Sequence, residues 1–478
     1  MDIDAAVLAA RDRIDGLIRQ EMANFQVPPL DLFSVSDNKV LGCRRRSDVS
    51  IPTIPGLPTS RPSLLLYDLD TLNVQQLVER KNKGVYQYIE ATRWTSPGVL
   101  YGTSGAGKTR SVLEYLSHNY GIYLTCVSER NHLLNTPKAD PGSADLREVL
   151  ANLMSARDVG GNNDNLLRVK TRLQLLLFIR SMVFLAVKEV YNDLTPYEWL
   201  LLQLYPNHYF GKDIFYELFR RCKNLIATTT MDEVFLDHEH AWAAIFVDEA
   251  QVLLNDERGF FLGTKGDKRS SFSGIFKGLL ETRISVANPT IFPFPIFSGT
   301  GMSMEGLEKE KTSGNAKFAC TVAENSAFVN FLPLTGSQVE DYLSTFLQLE
   351  NVDENIRRHV TSWLRGRPRW AATFVEEYLV RTDKSYKEPT KGEFTGDDAA
   401  LIQAIDRYIH DMTSKLSDRR KSWQGGNRTA CSAFEEFDAE NKTRKHRKSL
   451  NEIERAIYKY AFGMKPDLLK EDAKILIS

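Results

Sequence analysis

The chain has 478 residues, enough for roughly two to four domains with a sizeable core. Its 61 lysine and arginine residues nearly balance its 62 aspartate and glutamate residues, so no global field favours nucleic acid or a membrane surface as a partner. The 42% hydrophobic and 26% charged content is that of an ordinary soluble globular protein.

The cysteines and the most apolar segment indicate an intracellular protein, cytoplasmic or nuclear, without a membrane partner. Five scattered cysteines lack C-x-x-C spacing, which predicts reduced thiols and no zinc site. Residues 1–4 carry acid where a signal peptide would carry base. The most apolar stretch, 173–187, is too short to span a bilayer and contains Gln174 and Arg180, so we expect a buried helix there.

The N-terminal part of the chain predicts a helix followed by an extended linker. Residues 1 to about 25 carry a loose amphipathic stripe. Four prolines between positions 52 and 62 predict a strap that leads into the next domain. The apolar spacing in residues 71–92 predicts another helix just before the first core strand.

An octapeptide at 102–109 fits G-x-x-x-x-G-K-[ST] at every fixed position, between an apolar strand-like segment and a helical pattern. Its glycines let backbone N–H groups curl around a phosphate chain, and the following helix N-terminus adds partial positive charge. Lys108 is expected to reach the β- and γ-phosphates, and Thr109 to bind Mg²⁺. The predicted nucleotide-binding residues are Gly102, Thr103, Ser104, Gly105, Ala106, Gly107, Lys108, Thr109 and Arg110.

A second strand is predicted at 121–127, and a long helical stretch follows it. Residues from about 142 to 240 are rich in helical periodicity and separate the octapeptide from the next catalytic candidates. A minimal nucleotide-binding core does not need that much chain, so we predict a helical insertion.

The apolar run that starts at Ala243 ends in Asp248 and Glu249. Such a run is typical of a strand buried on both faces in a parallel sheet, where two carboxylates are costly without a cation or a task. Asp248 is predicted to hold Mg²⁺ through water, and Glu249 to polarise the attacking water as general base. The alternative is a solvated strand end. Gln251 lines the phosphate site or lies on the surface.

Residues 293–301 predict another short strand, which ends in hydroxyl and glycine residues. Ser298 or Thr300 would sense the γ-phosphate from a neighbouring strand; an ordinary strand-to-turn exit is the alternative. Residues 331–334 predict a last core strand that enters a helix capped by Thr335 or Ser337.

The sequence Gly-Arg-Pro-Arg at 366–369 predicts the start of a further helix. Pro368 would fix the first turn, and Arg369 would place its guanidinium over a nearby phosphate. A helix corner with solvated arginines is the alternative. Farther on, basic clusters at 419–421 and 442–448 could neutralise phosphates or form a solvated linker.

These motifs together resemble the AAA+/STAND branch of P-loop ATPases over about residues 70–385. The resemblance implies that 102–109 is Walker A, Asp248 and Glu249 are Walker B, Ser298 or Thr300 is sensor 1, and Arg369 is sensor 2. More narrowly, the Tyr-Gly-x-Ser-Gly-x-Gly-Lys-Thr loop, the insertion and the Val-Asp-Glu-Ala strand resemble the ATPase module of Crinkler-type and retrotransposon hot-spot-like proteins. No clear arginine finger is visible in the sequence, which favours a nucleotide-gated switch over a ring-forming motor.

We therefore predict an α/β P-loop NTPase fold, with a parallel sheet sandwiched by helices, a large helical insertion and a C-terminal helical lid. The predicted domains are 1–65 (N-terminal helix and Pro-rich linker), 66–335 (P-loop core, with the insertion at about 142–240), 336–385 (helical lid) and 386–478 (helical and basic region).

The predicted activity is slow, Mg²⁺-dependent hydrolysis of ATP, driving a switch that acts on a protein partner or an appended effector domain. Two alternatives stay open. One is a DNA-handling ATPase that uses the basic C-terminal clusters as its nucleic-acid contact. The other is a non-hydrolysing signalling or scaffold protein in which bound nucleotide stabilises the fold.

Overall fold

The computed structural model describes the larger part of the chain. The described residues are 3–22, 25, 29–33, 46, 48–55, 61–71, 83–103, 105–126, 142–151, 153, 161–223, 241–254, 260–262, 268–285, 292–299, 327–331, 333–350, 352–382, 401, 404, 405 and 408.

Thirteen helices and nine strands are seen in the described residues. The helices are α1 (Ile3–Met22), α2 (Lys83–Thr92), α3 (Lys108–His118), α4 (Asp145–Val149), α5 (Gly161–Val190), α6 (Pro196–Leu204), α7 (Pro206–Tyr209), α8 (Ile214–Cys222), α9 (Gln251–Leu254), α10 (Ser271–Ser285), α11 (Gly336–Phe346), α12 (Glu354–Leu364) and α13 (Pro368–Thr382). The strands are β1 (Leu32–Phe33), β2 (Ile51–Pro52), β3 (Gly98–Tyr101), β4 (Ile122–Thr125), β5 (Ile245–Asp248), β6 (Phe261–Leu262), β7 (Lys268–Arg269), β8 (Pro295–Gly299) and β9 (Ala327–Phe328).

Five strands form one parallel sheet in the order β4-β5-β8-β3-β9. The strands β3, β4, β5 and β8 are buried along almost their whole length, as expected when helices cover both faces of a parallel sheet. Because the strands are parallel, Tyr101, Thr125, Asp248 and Gly299 end along the same edge, where ligands bind in open α/β sheets. The predicted α/β fold with a parallel sheet and flanking helices is confirmed.

Helices α4 to α8 occupy the interval between β4 and β5 where the sequence predicts an insertion. The apolar stretch at 173–187 lies inside α5, and its Gln174 and Arg180 are fully buried. None of the described helices is long and apolar enough to cross a membrane.

Helix α6 covers the outer edge of the sheet. The Gln203 side chain accepts a hydrogen bond from the backbone N–H of Tyr123 (3.0 Å) and donates one to the Gly121 carbonyl (3.0 Å). The indole N–H of Trp199 donates to the same carbonyl (2.9 Å). Two backbone groups on the side of β4 that faces away from β5 are therefore satisfied by side chains of α6, which lies where a further strand would otherwise pair.

Helices α11 to α13 pack around a second hydrophobic core, separate from the core around the sheet. Thr335 is the N-cap of α11: its hydroxyl accepts from the Gln338 N–H, and the Gln338 side chain accepts from the Thr335 N–H. This capping box decides between the two predicted N-caps in favour of Thr335.

The prediction of a core strand at 331–334 is wrong. The last strand of the sheet is β9, which ends at Phe328, and Leu334 instead forms an antiparallel bridge with Gly366. Pro333, which has no N–H to donate, interrupts the apolar run on which the prediction was based.

A strap at residues 61–71 joins the two cores. Leu64 is buried in the core of α11–α13, whereas Leu66 and Leu69 are buried in the core around the sheet. Of the C-terminal region, Leu401, Ile405 and Tyr408 are buried in the α11–α13 core, and the predicted basic clusters lie outside the described residues.

Candidate functional site

The glycine-rich loop connects the C-terminal end of β3 to the start of α3. Gly105 and Gly107 have φ values of 77° and 100°, in the left-handed region that glycine adopts most easily. Gly107 is the N-cap of α3 and provides no side-chain cap, so the N–H groups of the first turn point out of the helix toward the loop. Ser104 lies outside the described residues.

Lys108 turns back over this loop. Its ammonium donates to the carbonyl oxygens of Gly102 (2.7 Å) and Thr103 (2.9 Å), and the side chain is buried. Burial lowers the pKa of Lys108 to about 8, although Asp248 and Glu249 act in the opposite direction. The cation therefore lies among the loop carbonyls and close to both acids.

Thr109 and Asp248 are in direct contact. The Thr109 hydroxyl donates to Asp248 Oδ2 over 2.9 Å, although the two residues are 139 positions apart in the chain. This contact exists because β8 alone separates β3 from β5 in the sheet, so the loop after β3 and the end of β5 meet at the same edge.

Asp248 also accepts two further hydrogen bonds. The Tyr123 hydroxyl donates to Oδ2 (3.0 Å), and the backbone N–H of Glu249 donates to Oδ1 (3.0 Å). Tyr123 is not among the site residues predicted from the sequence. The one feature that could have indicated this residue is its polar hydroxyl in the fully buried strand β4, two positions before that strand ends.

Glu249 lies just beyond β5 in an uncommon backbone conformation. Its φ is 56°, which is uncommon for a residue with a side chain and costs backbone strain of a kind that clusters at active sites. The Gln251 amide donates to Glu249 Oε2. Burial, followed by the Asp248 charge, raises the pKa of Glu249, while Gln251, Arg369 and Lys108 act to lower it.

Ser298 lies on β8, between the strand that leads into the loop and the strand that carries the acids. It is fully buried, and its hydroxyl has no hydrogen-bond partner within the described part of the chain. Its carbonyl accepts from the Ala250 N–H (2.9 Å) and so fixes the turn that follows Glu249. Thr300, the other sensor candidate, lies outside the described residues.

Two arginines from the start of α13 reach the loop. The Arg369 N–H donates to the Gly105 carbonyl (3.2 Å), and a Cβ added at Gly105 would lie 3.0 Å from Arg369 Cβ and 3.7 Å from Arg367 Cβ. Both guanidinium charges contribute to lowering the pKa of Lys108. Only Arg369 is predicted from the sequence; Arg367 lies beside it, slightly farther from Gly105.

Arg110 makes its side-chain contacts elsewhere. Its guanidinium donates to the carbonyls of Leu64 (3.2 Å) and Leu65 (2.9 Å) and pairs with Glu114 (2.9 Å). These contacts hold the strap to α3 and give no support to a nucleotide-binding role for this side chain.

The donor set fits a magnesium site of the type completed by phosphate. Such sites use one or two carboxylates, substrate phosphates and water rather than an all-protein cage. Thr109 and Asp248 offer one hydroxyl and one carboxylate. Within the described ranges, no group of three or more His, Cys, Asp or Glu side chains could hold a metal ion on its own.

Two solved structures are distantly similar to the chain. A Walker-type ATPase of Pyrococcus abyssi is 15% identical with a TM-score of 0.37, and the match covers 72% of this chain and 76% of that one. The Aeropyrum pernix ORC1 protein, solved in complex with DNA, is 13% identical with a TM-score of 0.35, covering 74% of this chain and 70% of that one. No protein-family model and no curated protein matches the chain.

Proposed function

We propose that this chain is a P-loop ATPase that binds ATP with Mg²⁺ and hydrolyses it slowly. The observation that supports this most is the hydrogen bond between Thr109 and Asp248. It joins the two halves of a nucleotide-hydrolysing site from distant parts of the chain, with Lys108 and Glu249 beside them.

Each residue has a defined task in this proposal. The loop N–H groups and Lys108 would bind the phosphates, since a helix N-terminus and an ammonium both attract them. Thr109 and Asp248 would hold Mg²⁺, which neutralises charge on the phosphate oxygens when bound. Glu249, whose pKa is raised by burial and by the Asp248 charge, would orient water and accept its proton.

We further propose that the bound nucleotide controls the α11–α13 lid. Arg367 and Arg369 lie against Gly105, so phosphate in the loop would attract both guanidiniums and draw the start of α13 toward it. Loss of the γ-phosphate would weaken this attraction. The lid would then report nucleotide state to a protein partner or an appended effector domain, in the manner of AAA+/STAND and Crinkler-type modules.

The test is Mg²⁺-dependent ATP turnover by wild type, Glu249→Gln and Lys108→Ala, with nucleotide affinity measured for each. We expect Glu249→Gln to bind ATP but lose turnover by about 10²-fold or more, because a positioned general base contributes on that scale. Lys108→Ala is expected to lose nucleotide affinity.

Other results would point to the alternatives. Tight binding with equal turnover in wild type and Glu249→Gln would contradict hydrolysis and favour a signalling or scaffold protein. Turnover that rises when DNA is added, and falls steeply with salt, would favour a DNA-handling ATPase.

A further inference from the structure

We propose that Tyr123 positions the Asp248 carboxylate for Mg²⁺ and that the helices between β4 and β5 set the place of Tyr123. This inference rests on the proposed function and adds to it a residue outside the recognised nucleotide motifs.

The hydrogen bonds around Asp248 fix the carboxylate in one orientation. Its Oδ2 accepts from the hydroxyls of Tyr123 (3.0 Å) and Thr109 (2.9 Å), and its Oδ1 accepts from the Glu249 N–H (3.0 Å). A carboxylate that binds a metal depends on such outer partners for its orientation. Thr109 and Glu249 belong to the nucleotide motifs themselves, so Tyr123 is the partner that comes from a separate strand.

The side chain of Tyr123 has little freedom to move. It is 2% exposed and lies in β4, which pairs with β5 so that Tyr123 is opposite Phe246 and Thr125 is opposite Asp248. The hydroxyl therefore reaches the carboxylate from a strand whose register relative to Asp248 is fixed by the sheet.

The backbone of Tyr123 is held from the other side by the helices. Its N–H donates to Gln203 Oε1, which also accepts from Arg180 Nη1 (3.3 Å). Arg180 in turn forms a fully buried ion pair with Asp145 (2.8 Å). Hydrogen bonds thus run from Asp145 in α4 to Asp248, so a shift of these helices would move the carboxylate that binds the metal.

A purely structural role for the hydroxyl makes a different prediction. A buried tyrosine hydroxyl needs some partner, and Asp248 would then serve only to satisfy it. In that case, removing the hydroxyl would change stability but not the concentration of Mg²⁺ that the site requires.

The test is a Mg²⁺ titration of Tyr123→Phe beside wild type, read by binding of a fluorescent ATP analogue and, separately, by turnover. We expect the Mg²⁺ concentration at half-saturation to rise about 10-fold or more, the range seen when an outer partner of a metal ligand is removed. Affinity for the analogue in EDTA should stay unchanged, because the loop and Lys108 are intact.

Tyr88→Phe is the matched control. It also removes a tyrosine hydroxyl at the sheet, from a half-buried side chain whose hydroxyl accepts from the Val99 N–H (2.9 Å) at the start of β3. It should alter thermal unfolding without altering the Mg²⁺ requirement.

If Tyr123→Phe and wild type need the same Mg²⁺ concentration, the inference about Tyr123 is wrong. The proposed function would still be supported in that case, as long as wild type binds the analogue in a Mg²⁺-dependent way. Wild type that shows no Mg²⁺ dependence in either analogue binding or turnover would overturn both.

Discussion

Glu376, on α13, is a carboxylate whose charge is costly where the structure places it. One of its oxygens accepts from the Leu64 N–H of the strap (2.6 Å). Burial raises its pKa to about 7, although this hydrogen bond and the charges of Arg61 and Arg369 act to lower it. The contact between strap and lid therefore includes a group that titrates near neutral pH.

Glu376→Gln should remove a pH dependence from folding stability. Glu376 holds its proton more tightly in the folded chain than in the unfolded chain. The contribution of this group to folding stability is therefore fully present below its ordinary pKa of 4.5 and is lost as pH rises toward 7. The loss in wild type is at most about 3 kcal/mol. Thermal unfolding of wild type and variant between pH 4.5 and 8 measures it, and parallel curves would contradict the assignment.

That Lys108, Thr109, Asp248 and Glu249 lie close together could be predicted from the sequence because each occupies a fixed position in a local motif. Tyr123 could not, since its contact with Asp248 depends on the register between two strands far apart in the chain.

Among the elements, α4 and α5 are joined by the buried ion pair of Asp145 and Arg180. Both side chains are almost completely buried, and the guanidinium also lies 3.8 Å from the centre of the Phe215 ring. Arg180 is thus desolvated on every side, and burial raises the pKa of Asp145 despite the nearby cation.

Asp145→Ala should lower the free energy of unfolding by about 3–5 kcal/mol, because it leaves a buried guanidinium without its counter-ion. Arg358→Ala is the control: its ion pair with Glu354 is exposed and worth roughly 0.5 kcal/mol. Urea unfolding of both variants checks this. Similar losses of unfolding free energy would show that the buried pair contributes no more to stability than the exposed pair.

Elements whose signal is local were predictable. The strands β3, β5 and β8 follow from short apolar runs, and the start of α13 follows from Pro368. The prediction of a strand at 331–334 is wrong because an apolar run does not reveal which backbone it pairs with. Here Leu334 bridges to Gly366, a long-range contact that a local pattern does not encode.

At the scale of the whole molecule, the strap at 61–71 holds sheet and lid together. Arg110, on α3, donates to the strap carbonyls of Leu64 and Leu65. Glu376, on α13, accepts from the strap N–H of Leu64. Helices of the two cores thus bind adjacent backbone groups of the same short segment.

Arg110→Met should loosen this connection while keeping the apolar stem of the side chain. Hydrogen exchange at residues 61–71 should rise about 10-fold or more, because hydrogen bonds to a charged group contribute about 1.5–3 kcal/mol each. Arg358→Met, which alters an exposed pair on α12, should leave exchange in the strap unchanged. Unchanged exchange in Arg110→Met would contradict this role.

The α/β class could be predicted from the alternation of strand and helix patterns. The order of the strands could not: the sequence does not reveal that β8 lies between β3 and β5, because that choice depends on how helices pack across the whole sheet.

That strand order has a consequence during synthesis of the protein. The loop that ends at Thr109 leaves the ribosome 139 residues before Asp248, a delay of about 7–28 s at ordinary elongation rates. Strand β8, which bridges β3 and β5, is made later still. A nascent chain therefore exposes its glycine-rich loop well before Asp248 is made, and the contact between Thr109 and Asp248 can form only late in translation.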